Sequence, residues 1–188
     1  MTRPLWLLAL LIPAVVLAAA KDPPLSDKTW SSKYDHHFRK YSKHYFGPNF
    51  DWRWFKAQGI AESNLRPKAR SRTGAVGVMQ ILPSTYKEIK RKNKHLRSIR
   101  TPRWNIAAGI YYDRQMYKNW RAKIPQKSER LAFAFGSYNA GFGGVSKAYK
   151  KASKVHKTVD TWDKVASYSP KETRGYVKRI RGLMKGVK

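Results

Sequence analysis

The sequence predicts a mostly α-helical domain, and three observations carry that expectation. Ile106, Gly109, Ile110, Asp113, Met116, Tyr117 and Trp120 keep the i, i+3, i+4, i+7 spacing of one helix face over about four turns. Prolines stand where a first helical turn tolerates them, and glycines stand where helices stop. Strand-like alternation is nearly absent; a short ribbon near His95 to Thr101 is the one stretch that allows it.

The elements follow in order. Residues 1–20 read as an export signal: Arg3 gives a positive start, Leu5 to Leu17 an apolar run broken by Pro13, and Ala18-Ala19-Ala20 a cleavage site. The run is shorter than the roughly 20 residues of a membrane span. No cysteine follows it, so a lipid anchor is excluded and export to the periplasm or cell envelope is expected. Residues 21–50 read as a basic, aromatic extension, with Trp30 to Phe46 able to form a docked helix that Gly47-Pro48-Asn49 ends.

The domain proper is expected over residues 51–188. Asp51 suits an N-cap for a helix through Trp52, Phe55 and Ile60 to about Ser63. After a glycine-containing loop, Pro83 opens a helix through Tyr86 and Ile89 toward Lys94, and Pro102 opens the long amphipathic one. A further helix runs from about Ser128 through Leu131 and Phe135 to Ala140. Gly141 stops it, Gly143-Gly144 reset the direction, and a basic helix follows from Val145 to Lys154. The last helix opens at Ser169-Pro170-Lys171-Glu172 and continues to Met184. There Ser169 and Glu172 have capping-box spacing, which explains Glu172 structurally without a catalytic role.

Composition narrows the function. The 188 residues hold no cysteine, so there is neither a disulfide nor a thiolate metal site. His36, His37, His44, His95 and His156 have no partnering acid at ligand spacing, so no metal and no cofactor are expected. Seven tryptophans, eleven tyrosines and seven phenylalanines supply core volume instead. With 40 basic against 11 acidic residues, the formal charge of +29 favours polyanions. For an exported chain these are cell-wall or other anionic envelope polymers, or an envelope assembly; nucleic acid is not expected, and a monomer is.

Against that basic background only four glutamates occur: Glu62, Glu88, Glu129 and Glu172. Glu62 closes an apolar helix just before a glycine-punctuated stretch, Ser71 to Ile81. Cleaving a glycosidic bond needs a proton on the leaving oxygen and stabilisation of an oxocarbenium-like centre. Asp51 and Glu88, the nearest acids in sequence, have no evident reason to approach Glu62, which points to one carboxylate.

Four motifs appear in order: Glu62-Ser63, Gly77-Val78-Met79-Gln80-Ile81, Tyr138-Asn139-Ala140-Gly141 and Glu172-Thr173-Arg174-Gly175-Tyr176-Val177. Together they resemble the soluble lytic transglycosylases over roughly residues 50 to 185. The resemblance implies a lysozyme-like helical domain of the goose-type lysozyme kind, acting on peptidoglycan glycan strands. It implies Glu62 as the single general acid and base, Gln80 at sugar amide groups, and Tyr138 and Asn139 in the groove. It also implies a Tyr176 hydroxyl that positions Glu62.

Blander readings stand beside several of these. Ser63 contacts substrate or orients Glu62, or is a small helix-end residue. Met79 lines the groove or belongs to the core, and Gln80 binds sugar or the loop backbone. Gly77 and Gly141 serve backbone geometry. Tyr138 packs with Phe133 and Phe135 or faces the reacting sugar. Ser137 stands where the family more often has alanine.

One tension yields an expectation. A free glutamate titrates near pH 4.3, and positive surroundings lower it further. Desolvation in an apolar cleft, with Met79, Ile81, Phe135 and Tyr138 as candidate walls, is the one available counterweight, so Glu62 is expected to have a raised pKa. The implied reaction is non-hydrolytic cleavage of the MurNAc-β-1,4-GlcNAc bond to 1,6-anhydro-MurNAc ends. A goose-type muramidase and a non-catalytic basic wall-binding module are the alternatives.

Overall fold

The computed structural model describes residues 30–186, so the leader and the first part of the extension lie outside the described residues. Among the described residues seven helical elements follow one another: α1 Asp35–Phe46, α2 Arg53–Ser63, α3 Pro83–Lys92, α4 Pro102–Asn119, α5 Lys127–Ala152, α6 Trp162–Ala166 and α7 Lys171–Lys185. Among the described residues there is no sheet. Isolated bridges pair Arg70 with Val76 and Val76 with Ile81. The ribbon allowed near His95 to Thr101 does not form; residues 93–101 run as turns, with Leu96 anchored in the core.

The packing is built on aromatic burial. Trp120, at the end of α4, lies against Phe133, Phe142 and Tyr149 of α5, and its indole N–H donates to Ser137 Oγ at 2.8 Å. Satisfying that donor lets the largest side chain of the core be fully buried. α1 also packs on α4 and presents Phe38 and Tyr41 to the same core. Phe46 at its end touches Phe50, Phe55 and Tyr117. Residues from Trp30 onward are thus packed on the helices that follow. α2 rests on α7, and α7 also meets α5, so three helices converge beside Glu62.

Several expected boundaries shift. α2 begins at Arg53 and its cap position is Trp52, not Asp51. Asp51 still accepts the Arg53 amide at 3.0 Å, while its carboxylate also takes the Arg53 guanidinium at 2.9 Å. The two helices expected around Gly141 do form, and they run end to end as α5 across a kink. Gly141 alone leaves helical geometry, with φ 74 and ψ 151, and this one break absorbs the change of direction assigned to Gly143-Gly144.

The capping box at α7 does not form. The cap residue is Pro170 and no side chain caps the helix; Ser169 Oγ instead donates to Val165 O at 3.1 Å. Ser169 belongs to the tight turn leaving α6, a helix too short for any periodicity to announce. α6 is pinned by Trp162, whose backbone N–H donates to Glu129 Oε2 at 2.7 Å. Arg181 of α7 holds the same carboxylate at 2.9 and 3.0 Å, so one glutamate ties α5, α6 and α7. Among the described residues no helix is long and apolar enough to cross a membrane.

Candidate active site

Glu62 is the second-last residue of α2. Two successive residues then adopt left-handed backbone, Asn64 at φ 52 and Leu65 at φ 58, and turn the chain sharply. The Asn64 amide donates to Ile60 O at 2.9 Å, closing the helix in a manner asparagine tolerates. The loop that follows runs back beneath Glu62 and is fastened at several points.

Asn105 of α4 is the main fastening. Its Oδ1 accepts the Met79 amide at 2.7 Å, and its Nδ2 donates to Val76 O at 2.9 Å and Ile99 O at 3.1 Å. The approach is possible because residue 77 is glycine: a Cβ there would lie 2.6 Å from Asn105 Nδ2, and φ is +82. Ser63 supplies a second fastening, its Oγ donating to Val78 O at 2.8 Å and accepting the Arg66 amide at 3.1 Å. Gln80, at φ 43, donates its amide to Gly77 O at 2.9 Å and Ala69 O at 3.2 Å. The Met79 side chain is wholly buried in the core rather than on a groove wall.

Above this platform stand two tyrosines. Tyr138 of α5 donates its hydroxyl to Met79 O at 2.7 Å and meets Tyr112 edge to face at 5.3 Å. Tyr176 of α7 donates to Glu62 Oε1 at 2.6 Å. Burial pushes both phenols well above their usual pKa, so both keep their protons and act as donors. Next to Tyr138, Asn139 Oδ1 accepts the Thr173 hydroxyl at 2.7 Å and bridges α5 to α7 just before the Gly141 kink.

The electrostatics of Glu62 follow from its surroundings. Desolvation is the largest influence and raises its pKa. The Tyr176 bond opposes this, Glu172 adds to it, and Arg179 opposes it. The balance sets the carboxyl at about 8. Glu62 is half-buried, and its carboxyl is packed closely enough by protein that burial outweighs the positive field of the molecule. Such a group is an acid at neutral pH that becomes a base after a single proton transfer.

The structure therefore brings Glu62, Tyr138 and Tyr176 to one site, with Glu172 close enough to act on Glu62. Ser63, Met79 and Gln80 build the loop beneath it, and Asn139 links the helices beside it. Sequence reasoning passed over Asn105, Gln58 and Asp113. Asp113 sits on the buried face of α4, fully enclosed, with its pKa pushed well up by burial despite the Gln58 hydrogen bond; Glu62 adds to the rise. An acid on an otherwise apolar helical face was the signal available. Among the described residues no group of three or more metal-ligating side chains is assembled.

Comparison with known proteins now bears on this geometry. Residues 42–160, more than half of the chain, match the transglycosylase SLT domain. The chain is 34% identical over 150 residues to membrane-bound lytic murein transglycosylase F of Shewanella halifaxensis, covering 79% of this chain and 29% of that protein. The same-named protein of Photobacterium profundum is 34% identical over 133 residues, with 71% and 24% covered.

Among solved structures, the 70 kDa soluble lytic transglycosylase of Escherichia coli superposes with a TM-score of 0.66 at 25% identity, covering 81% of this chain and 23% of that one. An inactive mutant of the lytic transglycosylase Slt of Pseudomonas aeruginosa gives 0.66 at 23% identity, with 81% and 23% covered, a likeness of fold. The chain spans less than a third of the length of these relatives. The fold is the lysozyme-like helical domain expected from the motifs. By sequence and by fold, the chain belongs to the transglycosylase SLT domain family.

Proposed function

We propose that this chain is a peptidoglycan lytic transglycosylase that uses Glu62 first as general acid and then as general base. The observation that carries the reading is the Tyr176–Glu62 hydrogen bond at 2.6 Å around a carboxyl whose pKa burial raises to about 8. At neutral pH Glu62 holds the proton the reaction needs. That proton goes to the glycosidic oxygen as the C1–O bond between MurNAc and GlcNAc breaks. The substrate's acetamido oxygen, or the cleft itself, stabilises the cationic C1. The Glu62 carboxylate, held by Tyr176, then removes the proton of the muramyl 6-hydroxyl, whose oxygen closes on C1 as a 1,6-anhydro ring. No water is consumed.

The surroundings of Glu62 support a single working carboxylate. Asp113 is completely enclosed and has no surface from which to activate water. Glu172, partly exposed, is the acid that a hydrolytic outcome would have to recruit. Digestion of purified sacculi followed by mass spectrometry decides between the two. The proposal expects muropeptides lighter by one water than hydrolysis products, and full-mass reducing ends would overturn it.

A 70-kDa soluble lytic transglycosylase complexed with bulgecin A shares the fold, with a TM-score of 0.65 at 24% identity. Delivery through residues 1–20 would place the enzyme in the periplasm or envelope, where its net charge of +29 draws it to anionic wall and envelope polymers.

A further inference from the structure

One buried acid has no part in the reaction just described. Asp113 and Gln58 are both fully enclosed, and Gln58 Nε2 donates to Asp113 Oδ1 at 3.2 Å. Their remaining oxygens, Gln58 Oε1 and Asp113 Oδ2, have no hydrogen-bond partner. Two bare acceptors in one enclosed pair are costly, since a buried polar group without a partner loses its hydration for nothing. Both belong to side chains already joined at their other ends. A proton on Asp113 Oδ2, donated to Gln58 Oε1, satisfies both at once and closes a two-bond acid–amide ring.

We infer that Asp113 is kept as the neutral carboxylic acid, ring-bonded to Gln58, and that this pair is a positioning device for Glu62. Gln58 and Glu62 are four residues apart on α2 and so share a helix face. The ring fixes that face against α4 and adds no second negative charge behind the working carboxyl. The groups acting on Asp113 are consistent with this. Gln58 and Glu62 reach it from α2, and Asp113 in turn acts on Tyr138 of α5, Tyr176 of α7 and its neighbour Tyr112. Glu88 of α3 acts on Tyr112, and Tyr45 of α1 lies against Tyr111. No cation is among the influences on Asp113. Burial, its largest influence, favours the proton.

The consequence is a linkage that can be measured without any substrate. An acid whose pKa is raised by folding leaves the protein progressively less stable as pH rises from the unfolded value near 4 toward the folded one. Asp113→Asn removes that loss, because an amide forms the same two-bond ring with Gln58 at every pH. In the full chain, the variant should match the wild type near pH 4. It should then gain on it by about 3–5 °C in Tm per pH unit above that. A difference that stays flat with pH, or a variant that loses ground as pH rises, overturns the inference. Asp113→Ala strands Gln58 and should lower Tm by about 4–10 °C at pH 4; no loss there also counts against the ring.

The role toward Glu62 rests on the function proposed above and has its own readout. Asp113→Asn exchanges one neutral partner for another. Asp113→Ala, which breaks the ring, should lower kcat per folded molecule by about tenfold, and an unchanged kcat would overturn the positioning role; Asp113→Asn, which restores the ring, should rescue that loss and leave the alkaline limb of the pH profile in place. If Asp113 were ionised beside Glu62, the same substitution would draw that limb toward acid pH, which would overturn the positioning role. Should the chain prove not to cleave peptidoglycan, the Tm comparison still tests the ring.

Discussion

The two ends of α2 bury opposite charges and treat them differently. Near its start, Lys56 is 2% exposed, yet its ammonium is bonded to Asp35 and to Ser31 O at 2.6 Å. The rings of Trp30 and Trp52 lie within 5.5 and 5.8 Å of it. That charge has a counter-ion, a carbonyl and two aromatic faces. Near the other end, Glu62 has a neutral phenol as its hydrogen-bond partner and Glu172 as a like charge nearby, with the Arg179 cation opposing it. A charge supplied with partners becomes structure, while one left short of them is driven toward its neutral form. The same helix thus fastens α1 at one end and carries a poised acid at the other.

The sharpest way to break this comparison is to neutralise each end in turn. On the proposed mechanism, Glu62→Gln removes the proton donor and should cut peptidoglycan cleavage by about a thousandfold or more. The fold should remain, and thermal stability should rise at pH 7 relative to pH 4. The sign follows from the linkage. Glu62 titrates higher in the folded chain than in the unfolded one, so its contribution to stability is lost as pH climbs from about 4.5 toward about 8. Glutamine does not carry that loss. Turnover assays with melting curves at both pH values check both halves, and an active variant would remove Glu62 from the mechanism.

At the other end, Lys56→Met should cost about 2–4 kcal/mol in stability, because it strands the partly buried Asp35 and unfastens α1. Activity per folded molecule should hold, as Lys56 lies far along the helix from the reacting carboxyl. Denaturant titration gives the first quantity and activity normalised to folded protein the second. A variant stable but inactive would mean that the two ends of α2 are not separable.

How far the sequence disclosed this division depended on what kind of signal each residue leaves. Glu62, Tyr138 and Tyr176 were legible because their order and spacing match a family pattern, and the long helix after Pro102 because its periodicity is strong. Asp113 was counted as a buried position of that helix, since periodicity reports where a residue sits and not how its proton is held. Asn105 bonds three backbone groups, and two of them, on Met79 and Val76, belong to a loop distant in sequence, so those contacts exist only after folding. The cap at Glu172 failed because Ser169 was already committed to the turn leaving α6. Lys56 read as one basic residue among forty, with nothing in its neighbours to announce burial.

The smallest effect sharpens the comparison most, because it changes one hydrogen bond. Tyr176→Phe leaves the ring packed in the core and removes only the hydroxyl that holds Glu62 Oε1. That bond favours the ionised carboxyl, so its loss leaves desolvation with less opposition and Glu62 titrates above about 8. The alkaline limb of kcat/KM should therefore move upward in pH. The maximal rate should meanwhile fall by about ten- to a hundredfold, since a freely rotating carboxyl spends less time aligned with the glycosidic oxygen. The two changes run in opposite directions at high pH, which separates them from a general loss of folding. A limb that moved toward acid would mean that Tyr176 restrains the charge of Glu62 and does not support it. The carboxyl end of α2 would then be better compensated than its single phenol suggests.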